Sequence, residues 1–373
     1  MVVHNRTFAK EPLYRRAIAE LSGRSLLSNL STMQRVSGSS QIIAMVKANA
    51  YGHGIRSVSR RLDGKVFALG VASIDEAVVL RESGIASKII LMEGVISADD
   101  LTTVEDLDLD LVIHDFSHLD WILQKETKLS DVWVKIDIGM GRLGFFPKDL
   151  AKVLQSVESI NNLIKGKVRL MGHLSDADQP KSDVNCDQVG VFSQIVSAQP
   201  FEASLCNSAA IFGLPNNHYD FVRPGLALYG ESPILSRSAQ ELGLQPVMTV
   251  KSRLIAVKQY PKGHHIGYGH TFTCPKDMKV GVISFGYGDG YPRSVKTGAP
   301  VLVNGVLCPL VGRISMDMMT VDVSNCPSAA IGTEVVLWGE GLPISVLEKH
   351  SGISRYELFT SVQNRVKFIW NDC

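Results

Sequence analysis

Residues 41–54 read QIIAMVKANAYGHG: an apolar, β-favouring run ends in Lys47 and passes at once into a glycine-rich turn carrying Tyr51 and His53. A buried ammonium is costly unless it is paired or neutral. A lysine at this point therefore reads as one that a core strand delivers to a rim. Periodicity alone serves a solvent-facing lysine equally well. Seven further runs of the same kind follow: VFALGVAS (66–73), KIILMEG (88–94), LDLVIHD (109–115), VWVKIDIG (132–139), VRLMGHL (168–174), EASLCN (202–207) and DFVRPGLAL (220–228). Between most of them lie amphipathic stretches such as IDEAVVLRESG, SADDLTTVEDL, SHLDWILQKE, PKDLAKVLQSVESI and VGVFSQIVSAQ, several opening on Ser, Asp or Pro as helices do. Eight β runs alternating with helices imply a parallel sheet. The number eight favours a closed (β/α)8 TIM-like barrel over an open doubly wound sheet. Upstream, residues 15–37 (RRAIAELSGRSLLSNLSTMQRVS) read as a helix.

Past about residue 240 the pattern changes. QPVMTVKSRLIAVKQY, KVGVISFGYG, APVLVNGVLCPLVGR, MMTVDVS and GTEVVLWG are β-rich runs without helices between them, and Asn304-Gly305 is a strong hairpin signal. The expected organisation is an α/β barrel over residues 1–240 and a mostly antiparallel β domain over 241–373, closed by a helical tail at 343–368.

Composition narrows the function classes. The 373 residues are 45% hydrophobic and 20% charged, with a net charge of +1, so nothing points to nucleic acid or an anionic membrane. The start, MVVHNRTFAKEPLYRR, has no apolar core segment, and no run reaches membrane-spanning length. The six cysteines are scattered and form no CxxC pair, which argues against a zinc knuckle and for a reducing cytoplasm. No metal site is expected. The His264-His265 pair has no carboxylate or cysteine cluster beside it and reads as exposed loop.

A barrel places its chemistry where strands end. The first run ends in Lys47, with Tyr51 beyond it; the fifth carries Lys135 and Asp137 and leads to Arg142. His173 closes the sixth, Asn207-Ser208 the seventh and Arg223-Pro224-Gly225 the eighth. The ends of strands seven and eight are where barrels commonly hold phosphate. Asn207-Ser208 opening a helical turn, with backbone amides near Gly225, has that character. A phosphate site beside one exposed lysine suggests pyridoxal 5′-phosphate bound as a Schiff base, whose displaced amine can serve as a base. GYGDG, residues 286–290, imitates a dinucleotide fingerprint but runs into Tyr-Pro instead of a helix, so that reading is rejected.

VKANAYGHG (46–54), KIDIGMGRLG (135–144), GHLSDAD (172–178), CNSAAIF (206–212), VRPGLALYG (222–230), IGYGHTF (266–272), GYGDGYPR (286–293) and VGRISMDMMTVDV (311–323) together resemble the alanine racemases, fold-type III pyridoxal phosphate enzymes. The blocks occur in the family's order over nearly the whole chain. The resemblance implies a racemase of alanine that supplies D-alanine to a bacterial cell wall. Lys47 would hold the cofactor and act as the base on the D-side of the substrate carbon; Tyr268 would be the base on the L-side. Arg223 would donate to the pyridine nitrogen, with His173 behind it. Tyr51, Ser208, Tyr356 and the backbones of Gly225 and Leu226 would hold the phosphate, beside Asn207. Arg142 and the backbone of Met316 would hold the substrate carboxylate, and Lys135 would be carbamylated and paired with Arg142. A head-to-tail homodimer would bring Tyr268 and Met316 into the neighbouring chain's site.

Two departures stand out: a weak form of the family's opening at residues 19–30, and a tail with Arg365-Val366-Lys367 where the third position is usually proline. The second is expected to affect only the packing of the last residues. The alternatives are a racemase of broader or different specificity, such as for serine, and a fold-type III decarboxylase, whose cysteine-containing substrate motif is missing. A non-catalytic pyridoxal phosphate-binding barrel would lack the β domain.

Overall fold

The computed structural model describes residues 17–371. These fall into two compact units, residues 22–247 and residues 17–21 with 248–371. The start of the chain, where Arg15 and Arg16 were expected in a helix and no signal segment was expected, lies outside the described residues, as does Cys373.

The first unit opens with helix α1 (Gly23–Ser37) and then runs into the barrel. Its strands are β2 (Gln41–Met45), β3 (Ala68–Val71), β4 (Lys88–Leu91), β5 (Asp110–Ile113), β6 (Val132–Lys135), β7 (Val168–Met171), β8 (Ala203–Asn207) and β9 (Phe221–Arg223). All neighbours are parallel, and β2 closes on β9 through the Ile42–Val222 register. The turn α2 (Lys47–Tyr51) and helices α3 (Ile55–Leu62), α4 (Ile74–Glu82), α5 (Asp100–Asp106), α6 (Phe116–Lys125), α7 (Leu150–Ser159), α8 (Asp183–Ser197) and α9 (Ser208–Gly213) fill the crossovers. The eight apolar runs are thus the eight staves of a TIM-like barrel. Its interior is an apolar plug that includes Ile43, Met45, Ile90, Val112, Trp133, Met171 and Phe221. Below the plug, Arg169 lies over the rings of Phe67, Trp133 and Phe221 and pairs with Asp131 at 2.6 Å and Glu202 at 2.7 Å. That network closes the N-terminal end, where barrels store stability.

The second unit is a mostly antiparallel sheet. The reading of 15–37 as one helix is corrected here: Ile18–Ser22 is a strand, β1, paired with β10 (Met248–Tyr260). Ala17, Ala19 and Leu21 are buried in alternation, the period of a strand. The helix begins only after Ser22, whose hydroxyl accepts the Ser25 amide at 3.0 Å as an N-cap. Beyond β10 come β11 (His265–Ile266), β12 (Phe272–Thr273), β13 (Met278–Ile283), β14 (Pro300–Val303), β15 (Val306–Pro309), β16 (Met319–Asp322) and β17 (Glu334–Trp338). Asn304 and Gly305 form the two-residue turn of the β14–β15 hairpin, with φ of 49° and 78°. The tail is helical only in α10 (Ile344–Ser351) and α11 (Arg355–Thr360); it ends in strand β18 (Lys367–Asn371), next to β1. The Lys367 amide donates to Ala17 O at 3.1 Å, a bond that proline at this position would lack. The units therefore divide at 247/248 rather than 240/241, and the β unit includes residues 17–21 through their pairing with β10. Among the described residues no helix is long and apolar enough to cross a membrane.

Candidate active site

Lys47 leaves β2 into a turn wound the left-handed way. Ala48, Asn49, Ala50 and Tyr51 all have φ between 51° and 54°, and Gly52 has 77°. Each such non-glycine residue costs about 1–2 kcal/mol, so the turn persists only where its surroundings over-determine it. They do. Glu76 accepts the Ala48 amide at 2.6 Å, Asn49 Oδ1 accepts the Ile55 amide at 2.8 Å, and His53 Nδ1 donates to Tyr51 O at 2.8 Å. Burial pushes the His53 imidazole down to about 4, which keeps it neutral. Its ring packs on Tyr229, which stacks on Tyr51 at 5.0 Å and donates to Met45 O at 2.9 Å.

Lys135, His173 and Arg223 each follow a plug residue (Trp133, Met171, Phe221) by two positions, so strand alternation points them into the same interior one layer higher. Arg223 is buried and donates to Ser204 Oγ at 2.6 Å, Gly172 O at 2.6 Å and Leu205 O at 3.1 Å. Its Nε–H makes no hydrogen bond among the described residues. Burial lowers the guanidinium to about 10, still protonated at neutral pH. His173 lies 3.3 Å from Arg223 Nη2, and burial, with Arg223, Arg142, Lys135 and Lys47 around it, holds its pKa well below the ordinary value.

Lys135 is 7% exposed and its ammonium makes no ion pair among the described residues. Asp137 is not its partner: that carboxylate instead accepts the amides of Gly139, Met140 and Gly141 at 2.9–3.1 Å and shapes the loop that carries Arg142. Burial, then Arg223, Arg142 and Lys47, bring the Lys135 amine down to about 8; Glu93 opposes them. Glu93 also lies 3.8 Å from Lys47 Nζ. It was legible as the polar end of KIILMEG yet absent from the residues singled out, as were Glu76 and Tyr229.

At the ends of β8 and β9 a cradle of donors forms. Ser208 is buried, and its Oγ accepts the amides of Gly225 at 2.8 Å and Ala227 at 3.3 Å. A Cβ on Gly225 would strike the Tyr51 hydroxyl, so only glycine admits that approach. Asn207 caps α9, its Oδ1 taking the Ala209 and Ala210 amides, and so fixes Ser208. Leu226 follows Gly225 in the same buried turn. Hydroxyls and backbone amides converging beside a cluster of cations suit a phosphate, and the spare Arg223 donor suits a ring nitrogen acceptor. The residues present fit pyridoxal phosphate.

Three expected residues lie in the β unit. Tyr268 is 70% exposed on the turn between β11 and β12, Met316 is 53% exposed, and Tyr356 is on α11. His264 and His265 are exposed, and their rings stack on Tyr260 and His270 respectively.

The family model described as "Alanine racemase, N-terminal domain" matches residues 22–233, and "Alanine racemase, C-terminal domain" matches 247–370. An alanine racemase of Shewanella sediminis is 41% identical over 350 residues, which are 93% of this chain and 97% of that protein. The crystal structure of biosynthetic alanine racemase from Pseudomonas aeruginosa superposes with a TM-score of 0.92 at 35% identity, covering 96% of this chain and 100% of that one. That of Bartonella henselae alanine racemase, with covalently bound pyridoxal phosphate, has a TM-score of 0.86 at 27% identity, covering 95% and 99%. The chain belongs to the alanine racemase family.

Proposed function

We propose that this chain interconverts L-alanine and D-alanine with pyridoxal 5′-phosphate held in its barrel. The observation that carries the reading is the placement of Lys47 in the same turn as Tyr51, whose hydroxyl meets Gly225 and the Ser208 cradle. Lys47 would hold the cofactor covalently. Tyr51, Ser208 and the amides of Gly225 and Leu226, fixed by Asn207 and joined by Tyr356, would hold its phosphate, the Gly225 amide turning to it from Ser208 Oγ, and Arg223 Nε–H would donate to its ring nitrogen. Bound there, the cofactor supplies the electron sink that makes the α-proton of alanine acidic. Arg223 is a donor only, so that nitrogen stays an acceptor and the weaker sink disfavours transamination.

The chain's own groups handle the proton. The Lys47 amine takes or returns it on the D-side and the Tyr268 phenol on the L-side, because inversion needs two groups on opposite faces of a planar carbon. Arg142 and the Met316 amide hold the substrate carboxylate. Lys135, carbamylated, would pair with Arg142 and offset the surrounding cations. Tyr268 and Met316 would come from a second copy, in a head-to-tail homodimer with shared sites. A cytoplasmic enzyme feeding D-alanine into peptidoglycan completes the reading, with the five described cysteines all free thiols.

The test is incubation of the purified chain with L-alanine, and separately with L-serine and other L-amino acids, followed by chiral chromatography. Drift of alanine toward equal enantiomers, faster than any other amino acid, is expected. Carbon dioxide and an amine would mark a decarboxylase instead, and unchanged L-alanine would overturn the reading.

A further inference from the structure

The GYGDG turn, residues 286–290, has no part in the roles above, yet it is built directly onto the loop that carries Met316. The Tyr287 amide donates to Ser315 O at 3.1 Å and the Gly288 amide to Met316 O at 2.8 Å. A Cβ on Gly286 would strike both of those carbonyl oxygens. One on Gly288 would lie 3.0 Å from Met316 O and 2.7 Å from Arg365 Nη1. The glycines are there for close backbone approach, not for a nucleotide.

Peptide planarity gives the consequence. The Ser315 carbonyl points at the turn, so the Met316 N–H of the same trans peptide points the opposite way. That N–H has no hydrogen-bond partner among the described residues. Arg365 locks the arrangement from the side. Its Nε lies 2.8 Å from Asp289 Oδ1, its Nη2 reaches Asp317, and Asp289 Oδ2 accepts the Gly286 amide at 3.0 Å. One planar guanidinium thus ties the turn to the residue next to Met316, a bridge that a lysine's single ammonium does not reproduce.

We propose that Arg365 is a positioning residue for the substrate carboxylate: by bridging Asp289 and Asp317 it fixes the peptide that presents the Met316 N–H. This rests on the reading of Met316 as a carboxylate donor given under Proposed function.

The test compares holoenzyme of wild type, Arg365→Lys, Arg365→Ala and Asp317→Asn. In Arg365→Ala the KM for both alanine enantiomers should rise about 5- to 30-fold while kcat falls less than about threefold, as for lost uniform binding of a hydrogen-bonded charge. Arg365→Lys should fall between it and wild type. The discriminating readout is alaninamide, which lacks the carboxylate, titrated by the change in cofactor absorbance. It should bind every variant as it binds wild type, whereas alanine binds more weakly. Equal weakening of both ligands, or an unchanged KM in Arg365→Ala, overturns the proposal. Should Arg365→Ala fail to fold, Arg365→Lys and Asp317→Asn carry the same comparison. A wild type that leaves L-alanine untouched would instead sink the functional reading itself.

Discussion

Nη2 of Arg223 lies 3.3 Å from Nδ1 of His173, and the contact has one possible polarity. A guanidinium only donates, so the imidazole accepts at Nδ1 and carries its proton on Nε2. Burial and the surrounding cations favour the same neutral form. The pair therefore ties the ends of β7 and β9 together in one protonation state, and it leaves the Arg223 Nε–H as the donor not yet used.

Arg223→Lys keeps the charge and loses the fork. Ser204 Oγ, Gly172 O and Leu205 O would then compete for one ammonium in a buried site. Stability should fall by about 3–5 kcal/mol, the scale for breaking the pairing of a buried charge, and racemase activity at least about tenfold. Urea unfolding and initial rates measure both. A variant as stable and as active as wild type would show that the fork is idle.

The barrel was legible because strands buried on both faces read as unbroken apolar runs, and because one rule, polar residues at strand ends, finds Lys47, Lys135, His173, Ser208 and Arg223 together. The same rule applied to KIILMEG would have found Glu93. Ile18–Ser22 was misread because its partner β10 lies far along the chain, where local periodicity cannot see it. β18 was missed for the same reason, its neighbour being β1. The left-handed turn at Ala48–Tyr51 runs against every local preference of its residues, and only Glu76, Asn49 and His53 make it affordable. Tyr268, Met316 and Tyr356 came from resemblance alone, since exposed residues on short β-unit turns carry no periodic signal.

Acid should loosen the Lys47 turn. Burial holds His53 near 4 and also His118, the latter helped by His114, against an ordinary value of 6.5. The unfolded chain then binds more protons than the folded one between pH 6.5 and 4. Stability is full above that window and falls as pH drops through it, by up to about 3 kcal/mol for each histidine. Asp110, pushed up to about 6 by burial, works in the opposite direction. Comparing wild type with His53→Gln cancels that contribution. The difference in their unfolding free energies should shrink as pH falls from 6.5 to 4; a constant difference would contradict the assignment.

The Lys135 amine, lowered to about 8, has a large neutral fraction just above neutral pH. Only the neutral amine adds carbon dioxide, so carbamylation should increase as pH rises through 8 and decline below it. Protein equilibrated with ¹³C-bicarbonate at pH 8.5 should show a carbamate carbon signal that weakens at pH 6.5 and is missing from Lys135→Gln. Depleting carbon dioxide should lower activity several-fold, with recovery on adding bicarbonate. No signal in wild type at pH 8.5 would leave Lys135 as an unmodified buried amine.

Tyr268 stands exposed on its turn and is the proposed base for the L-side. The equilibrium constant between alanine enantiomers is unity, so kcat/KM must be equal in the two directions for every variant, and no substitution slows one direction alone. Isotope effects escape that constraint. Tyr268→Phe should lower kcat/KM by about 10²–10³, the usual worth of one positioned acid–base group, and make proton transfer on the L-side rate-limiting. The α-deuterium effect should then rise toward its full primary value with L-alanine and collapse toward one with D-alanine. Loss of Lys47 as a base would reverse the pattern. Equal isotope effects from both enantiomers, without loss of rate, would remove Tyr268 from the chemistry and leave Lys47 without its opposite number.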